Sequence, residues 1–392
     1  MAVNGDNAYR ITERLAFPRL IGSEGEKKAI EVVLEEFRKA GYDTIHREKF
    51  KTSFHNWIAV RLLFLPIGLF LVLLAISFYI NPWITLILII INAFVASRAL
   101  GMATTSEIKL MKNEEKNYET ENIYGNLKNS DSKGTVVFIA HWDSKSQLFS
   151  SSMRIIIIII AALGAIIILL LYLILSIIQI FNPYQIPILN HVLLGISITV
   201  SVIGILNSFN KTGNDSPGAY DNAAGVGVVI ELARYFKNNL VNNLDFIFLC
   251  TSSEELNLGG IKSFLQQHKD KFDKNSTYFI NFDLIGGTDL IRIITSFGIP
   301  RKVSSKKLNK LFLKSAKELN IKAKDIYLPT GAWSDYMPVV QEGFEACWIA
   351  SQPGLKLVHT KKDNMRIVSK ESMKNTLFLC VEVVKKLNNE FS

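Results

Sequence analysis

The chain has 392 residues, a hydrophobic share of 49% and a formal net charge of +9, enough for two or three domains or for one large domain with insertions. No nucleic-acid motif and no interleaving of basic with aromatic residues accompanies the positive charge, which excludes nucleic acid as a partner. Cys250, Cys347 and Cys380 form no CxxC spacing, and the first two sit in apolar, strand-like runs, so buried free thiols are expected rather than a disulfide framework.

The first 56 residues are too polar for a signal peptide. Ser23 to Ala40 reads as an amphipathic helix: Ser23 caps it, Ala29, Ile30, Val33, Leu34 and Phe37 share a face, and Gly41 ends it. Asp43 to Phe50 alternates as a strand. An uncharged apolar run from Leu62 to Ile80 follows, then Asn81-Pro82, then a shorter apolar stretch from Trp83 to Ala96. Glu121 to Leu127 reads as a strand, and Thr135 to Ala140 is a short continuous apolar run of the kind a buried strand needs. Ile155 to Phe181 carries no charge, Asn182-Pro183 interrupts it, and Ile186 to Leu206 continues it. Beyond lie a helix at Ala223 to Phe236, a strand at Leu244 to Thr251 and a helix at Ile261 to His268. A strand at Thr277 to Asn281, a helix at Ser304 to Leu319, a strand at Ala346 to Ala350 and a helix at Glu371 to Leu387 complete the pattern.

Alternating strands and helices predict an α/β fold with a mainly parallel mixed sheet flanked by helices. A bilayer core requires about 20 apolar residues in a helix. Ile155 to Ile160 has no polar face at all, which a soluble surface helix would need. The expectation is therefore four transmembrane helices in two hairpins, with the short stretch from Trp83 open to a re-entrant form. Residues 1–56, 100–153 and 207–392 would form one interrupted domain, with hairpins at 57–99 and 154–206 as insertions. The links Asn81-Pro82 and Asn182 to Gln185 are short and uncharged, so the three polar stretches share one side of the bilayer. Arg38, Lys39, Arg47, Lys49, Lys51, Arg61, Arg98, Lys109, Lys112, Arg154 and Lys211 lie on that side. The positive-inside rule predicts a multi-pass integral membrane protein with this domain in the cytoplasm and the lipid bilayer as a partner.

Polar residues gather where the strands end. His141 and Asp143 close the run at Thr135 to Ala140, and a ligating imidazole needs its second nitrogen held, often by a carboxylate. Asp215 precedes Ser216-Pro217, as in a turn. Asp221 stands at the foot of the helix starting near Ala223, where a helix cap is the ordinary reading and a metal ligand the alternative. Glu254 and Glu255 follow a buried strand, and adjacent carboxylates there are costly unless exposed or bound to cations. Asp283 follows another strand, and His359 stands just before Asp363. His141, Asp221, Glu255, Asp283 and His359 thus form a nitrogen–oxygen donor set at strand ends, where ligands of such sheets collect. It suits zinc, with cobalt or manganese as substitutes.

These motifs resemble the M28 family of metallopeptidases, which includes bacterial aminopeptidases and glutaminyl cyclases. The resemblance rests on Ala140-His141-Trp142-Asp143-Ser144, Gly218-Ala219-Tyr220-Asp221-Asn222-Ala223-Ala224-Gly225, Ser253-Glu254-Glu255, Asn281-Phe282-Asp283 and Val358-His359-Thr360. It covers residues 121–153 and 207–387, with weaker similarity at 10–56. It implies a zinc-exopeptidase fold, a peptide substrate and two zinc ions. By the resemblance Asp221 bridges the ions, Glu255 and His359 complete one site, and His141 and Asp283 the other. Glu254 is then the general base, Asp143 orients His141, Asp335 stands on the substrate side, and a cis peptide bond follows Asp221. Removal of N-terminal residues from peptides is the expected activity. A glutaminyl cyclase is the alternative enzyme, suggested by His141-x-Asp143-Ser144-Lys145, although Asp221 to Gly225 and Glu255 to Gly260 look like the aminopeptidase branch. A non-catalytic scaffold is the third reading. The loops carry no signature of side-chain preference or of oligomeric state.

Overall fold

The structure, a computed structural model, describes residues 3–104, 118–183, 186–239, 241–329, 333–351 and 354–391. Lys109, Lys112 and the end of the second hairpin link, Tyr184-Gln185, lie outside the described residues. In chain order the elements begin with helices α1 (Gly5–Leu15) and α2 (Glu24–Lys39) and strand β1 (His46–Thr52). Helices α3 (His55–Leu62), α4 (Phe64–Ile80) and α5 (Pro82–Thr104) precede β2 (Tyr118–Leu127) and β3 (Gly134–His141). Then come α6 (Ser151–Phe181), α7 (Pro187–Leu206), α8 (Ala224–Asn238), β4 (Leu244–Thr251), α9 (Gly259–His268), β5 (Thr277–Phe282) and β6 (Ile291–Phe297). The chain closes with α10 (Lys306–Glu318), β7 (Ala323–Leu328), α11 (Tyr336–Gln341), β8 (Glu345–Ala350) and α12 (Lys370–Glu390). Two compact units result: Met1–Ser53 with Ile108–Ser146 and Gly213–Ser392, and Phe54–Glu107 with Gln147–Thr212.

The first unit is built on a nine-stranded mixed sheet in the order β1-β2-β4-β3-β5-β8-β6-β7, with Lys302–Val303 pairing β6 as well. At its centre β4, β3, β5 and β8 are all parallel, which is why each reads as a nearly continuous apolar run. Phe138 of β3 stacks on Phe236, Phe246, Phe248 and Phe282, with ring centroids 5.4 to 6.2 Å apart, joining the sheet to α8. At one edge β1 pairs antiparallel with β2 and carries Arg47, Glu48, Lys49 and Lys51, charges that discourage further strand pairing.

The α/β class and the flanking helices agree with the sequence reading, and three elements add to it. Helix α1 buries Ala8, Ile11, Thr12 and Leu15 at helical spacing beneath an Asn4 cap. Strand β7 is a sheet edge with no buried residue, so it lacks the apolar run by which a central strand is recognised. In β6, Arg292 interrupts such a run.

The second unit is a helical bundle whose core comprises Leu71, Leu74, Ala75, Phe78, Ile168, Tyr172, Leu193 and Val200. The Phe78 and Tyr172 rings meet edge to face at 5.3 Å. α4 and α7 approach closely at Gly68, where a Cβ would stand 2.8 Å from Ile205 and where Ser201 Oγ donates to the Gly68 carbonyl at 2.8 Å. Leu69, Ile87, Ile90, Ile166, Leu170 and Ile188 face outward, all more than half exposed. Among the described residues three helical stretches, Val60–Ile80, Ser151–Phe181 and Pro187–Phe209, are long and apolar enough to cross a membrane, whereas the apolar part of α5, Pro82–Val95, is shorter.

Candidate metal centre

The parallel strands β4, β3 and β5 run side by side, so their carboxyl ends share one edge of the sheet. His141 is the last residue of β3 and pairs in register with Thr251, the last of β4. Glu254 and Glu255 follow β4, Asp283 follows β5, Asp221 comes from the turn before α8, and His359 from the loop after β8. All are buried.

Two groups of donors emerge, His141 with Asp221 and Asp283, and Asp221 with Glu255 and His359, the ligand atoms of each lying within 4.8 Å of one another. His141 Nε2 is 3.3 Å from Asp221 Oδ1 and 3.7 Å from Asp283 Oδ1. His359 Nε2 is 3.2 Å from Asp221 Oδ2 and 3.0 Å from Glu255 Oε2. Glu254 Oε2 stands 3.9 Å from His141 Nε2. Among the described residues no hydrogen bond reaches His141 Nε2, Glu255 Oε1 or Asp283 Oδ1, although all three are buried. Buried polar atoms left in that condition fit a cation between them.

Electrostatics say the same. Burial opposes charge on His141, yet the carboxylates around it, Glu254, Asp143, Asp221 and Asp283, lift its pKa well above the ordinary value. His359 is raised too, with Glu255 and Asp221 overcoming burial. Asp221 is lowered against its own burial by the two histidines, and Glu255 is brought to about 2 against burial by His359 and Lys145. Carboxylates this dense draw positive charge onto whatever base they face, and divalent cations supply that charge. The donor set therefore fits a metal of the zinc class.

Asp221 is not a helix cap. The turn Ala219–Ala223 departs from helical geometry at Asp221 and Asn222, the peptide between them is cis, and no side chain caps α8 at Ala223. Asn222 serves the helix start instead, accepting from Gly225 N at 3.1 Å and donating to Phe282 O at 2.7 Å. Gly225 is required there, because a Cβ would lie 2.6 Å from the Phe282 carbonyl at the end of β5.

Asp143 lies behind His141, with Oδ1 3.5 Å from its Nδ1. Its two oxygens also accept the amides of Glu254 and Glu255, each at 3.2 Å, so one carboxylate ties the β3 loop to the β4 loop. Asp335 accepts from Thr251 Oγ1 at 2.5 Å, and burial pushes its pKa up to about 7. Non-glycine residues adopt left-handed backbone at Ser253, Leu284 and His359, each beside or at a candidate ligand, as is common where a site dictates the loop.

Three supporting residues had no role in the sequence reading. Ser334 takes a hydrogen bond from Asn281 and donates to Asp283 Oδ2 at 2.6 Å. Asp363 accepts the amides of Tyr220 at 2.7 Å and Asp221 at 3.1 Å. Arg19, fully buried, donates to the carbonyls of Leu15, Phe17, Trp142, Pro217 and Gly218. Arg19 and Asp363 thus grip the Asp221 turn together, Arg19 by the carbonyls of Pro217 and Gly218 and Asp363 by the amides of Tyr220 and Asp221. The available signals were slight: an arginine between Pro18 and Leu20, and an aspartate soon after His359.

Comparison with known proteins gives the relationship. The model of peptidase family M28 matches residues 200–384. Aminopeptidase YwaD of Bacillus subtilis (strain 168) is 28% identical in an alignment of 172 residues that covers 40% of this chain and 35% of that protein, so the chain matches about a third of the relative's length. The crystal structure of BSAP, a zinc aminopeptidase from Bacillus subtilis, is similar with a TM-score of 0.56 at 14% identity, covering 98% of this chain and 95% of that one. An Acidobacteriales bacterium glutaminyl cyclase is similar with a TM-score of 0.56 at 14% identity, covering 100% and 96%. At such identities the structural likeness is one of fold, while the family match comes from the sequence. The chain is thus similar in sequence to peptidase family M28 over residues 200–384, and similar in fold to the zinc aminopeptidase BSAP.

Proposed function

We propose that the protein is a membrane-anchored, zinc-dependent aminopeptidase that hydrolyses N-terminal residues of peptides at a two-metal centre. The observation carrying this reading is the Asp221 carboxylate, whose two oxygens belong to two donor sets, with His141 and Asp283 on one side and Glu255 and His359 on the other. Zinc held there supplies Lewis acidity toward water and the scissile carbonyl.

Glu254 is the general base. Burial lifts its pKa well above the ordinary carboxylate value; His141 opposes this, and Glu255, Asp283 and Asp335 add to it. A carboxylate so placed holds a proton readily, taking it from the attacking water and giving it to the amine nitrogen as the peptide C–N bond breaks. Asp143 orients His141, and Asp335 stands on the substrate side.

The anchor is the helical bundle: α4 with the apolar part of α5, and α6 with α7, are two hairpins in the bilayer. Arg61, Arg98, Arg154 and Lys211, at the ends of these helices, favour a cytoplasmic peptidase domain. A second reading, a glutaminyl cyclase, is favoured by Lys145 following Asp143-Ser144 and by the similar fold of the Acidobacteriales cyclase.

The deciding experiment is purification in detergent, elemental analysis of bound metal, and assay on aminoacyl and dipeptidyl chromogenic substrates. About two zinc ions per chain with release of N-terminal residues supports the aminopeptidase. Ammonia released from an N-terminal glutaminyl peptide, with no free glutamine, replaces it with the cyclase. Absence of both metal and turnover would leave a scaffold.

A further inference from the structure

Lys145 stands inside one of the two donor sets. Its Nζ lies 3.0 Å from Glu255 Oε2 and donates to the Glu255 carbonyl at 2.9 Å. The side chain is buried, so this second contact pins a charge that cannot swing out into water. Glu255 Oε2 is also the oxygen that His359 Nε2 faces at 3.0 Å, which makes it the atom this set offers to a metal. In the other set Asp283 meets no such charge among the described residues: Oδ2 takes a neutral hydroxyl from Ser334, and Oδ1 takes no hydrogen bond from them.

We propose that Lys145 is a positioning residue that makes the two metal positions unequal. The His141–Asp221–Asp283 set fills first, and the Asp221–Glu255–His359 set holds its ion more weakly, at least about ten-fold, because a fixed ammonium shares its second carboxylate. Both sets have two carboxylates and one imidazole, so ligand type alone would leave them alike. The difference is one positive charge, held a few ångströms from where the second cation sits. The proposal rests on the two-metal reading and deepens it: the centre would work with one tight ion and one exchangeable ion, and its activity would follow the supply of the second.

The test is calorimetric titration of the full-length, chelator-stripped protein in detergent with zinc, repeated with cobalt by visible absorption, beside Lys145→Met and Lys145→Arg. Wild type should take up ions in two steps at least about ten-fold apart. Lys145→Met should tighten the second step by about ten-fold or more and leave the first unmoved, while Lys145→Arg keeps them apart. Asp283→Ala should abolish the tight step and spare the weak one, an outcome readable even if the Lys145 variants fail to fold. Two equivalent ions in wild type overturn the proposal, as does a Lys145→Met protein whose second ion is unchanged or weaker, or an Asp283→Ala protein that loses the weak step. These results leave the two-metal reading standing, whereas a wild-type protein that binds no ion overturns both.

Discussion

His141 and His359 address the two oxygens of a single carboxylate, at 3.3 Å from Asp221 Oδ1 and 3.2 Å from Asp221 Oδ2. They arrive from different loops, one at the end of β3 and the other after β8. Asp221 is the residue common to both donor sets. Asp221→Ala is therefore expected to abolish binding of both ions, and Asp283→Ala of only one. Elemental analysis of the purified variants reads this directly; equal losses in the two would contradict the shared role of Asp221.

Glu254 is adjacent to the donor sets and outside both. Glu254→Gln keeps the shape of the side chain and removes its basicity. Turnover should fall by a factor on the order of 100 or more, with bound metal unchanged. A variant that lost metal in proportion to activity would make Glu254 a ligand instead.

Arg19 satisfies five main-chain carbonyls from three segments, near Leu15, at Trp142 and at Pro217-Gly218. Burial lowers its pKa to about 10, which leaves it charged at neutral pH. Arg19→Met strands several buried acceptors and should cost about 3 kcal/mol or more, since each unsatisfied buried group costs roughly 1–3 kcal/mol. Chemical denaturation followed by tryptophan fluorescence measures the loss. A cost under about 1 kcal/mol would mean that water replaces the guanidinium.

Acid should weaken the packing of α1 on α2 through Glu36. Its carboxylate accepts from Arg10 at 2.5 and 3.0 Å and pairs with Arg14 as well. Burial pushes its pKa up, but the two arginines outweigh this and hold it below the ordinary value of 4.5. A carboxyl whose pKa is lower folded than unfolded adds stability above the unfolded value and loses it as pH falls through the folded one. Wild type should therefore be more stable than Glu36→Gln at neutral pH, with the difference shrinking steadily below about pH 4.5. Melting temperatures of both proteins across that range check the sign.

Orientation is tested by a cysteine at Lys211. The native Cys250, Cys347 and Cys380 are all buried, so background labelling should be low. An impermeant thiol reagent should spare Lys211→Cys in intact cells and label it after permeabilisation. Labelling in intact cells would reverse the topology.

The α/β class, the central strands and the apolar helices were legible in the sequence because they depend on neighbouring residues. A strand buried on both faces must be apolar throughout, as in Val136 to Ala140, and a helix without a polar face, as in Ile155 to Phe181, shows in composition alone. The order of the motifs around His141, Asp221, Glu255, Asp283 and His359 could be read as well, since each stands at or just beyond a recognisable element. Whether Asp221 caps the helix could not: a cap and a ligand look alike in a local window, and at the turn Ala219–Ala223 the helix start belongs to Asn222. Arg19 and Asp363 come from opposite ends of the chain to hold that turn, and Lys145 reaches Glu255 from another strand's loop. Edge strand β7 escaped for a related reason, having no buried residue to mark it. Local periodicity reports only what contiguous residues bury. Hydrogen bonds and ion pairs between distant segments depend on which loops the sheet order brings together, and only the tertiary structure decides that.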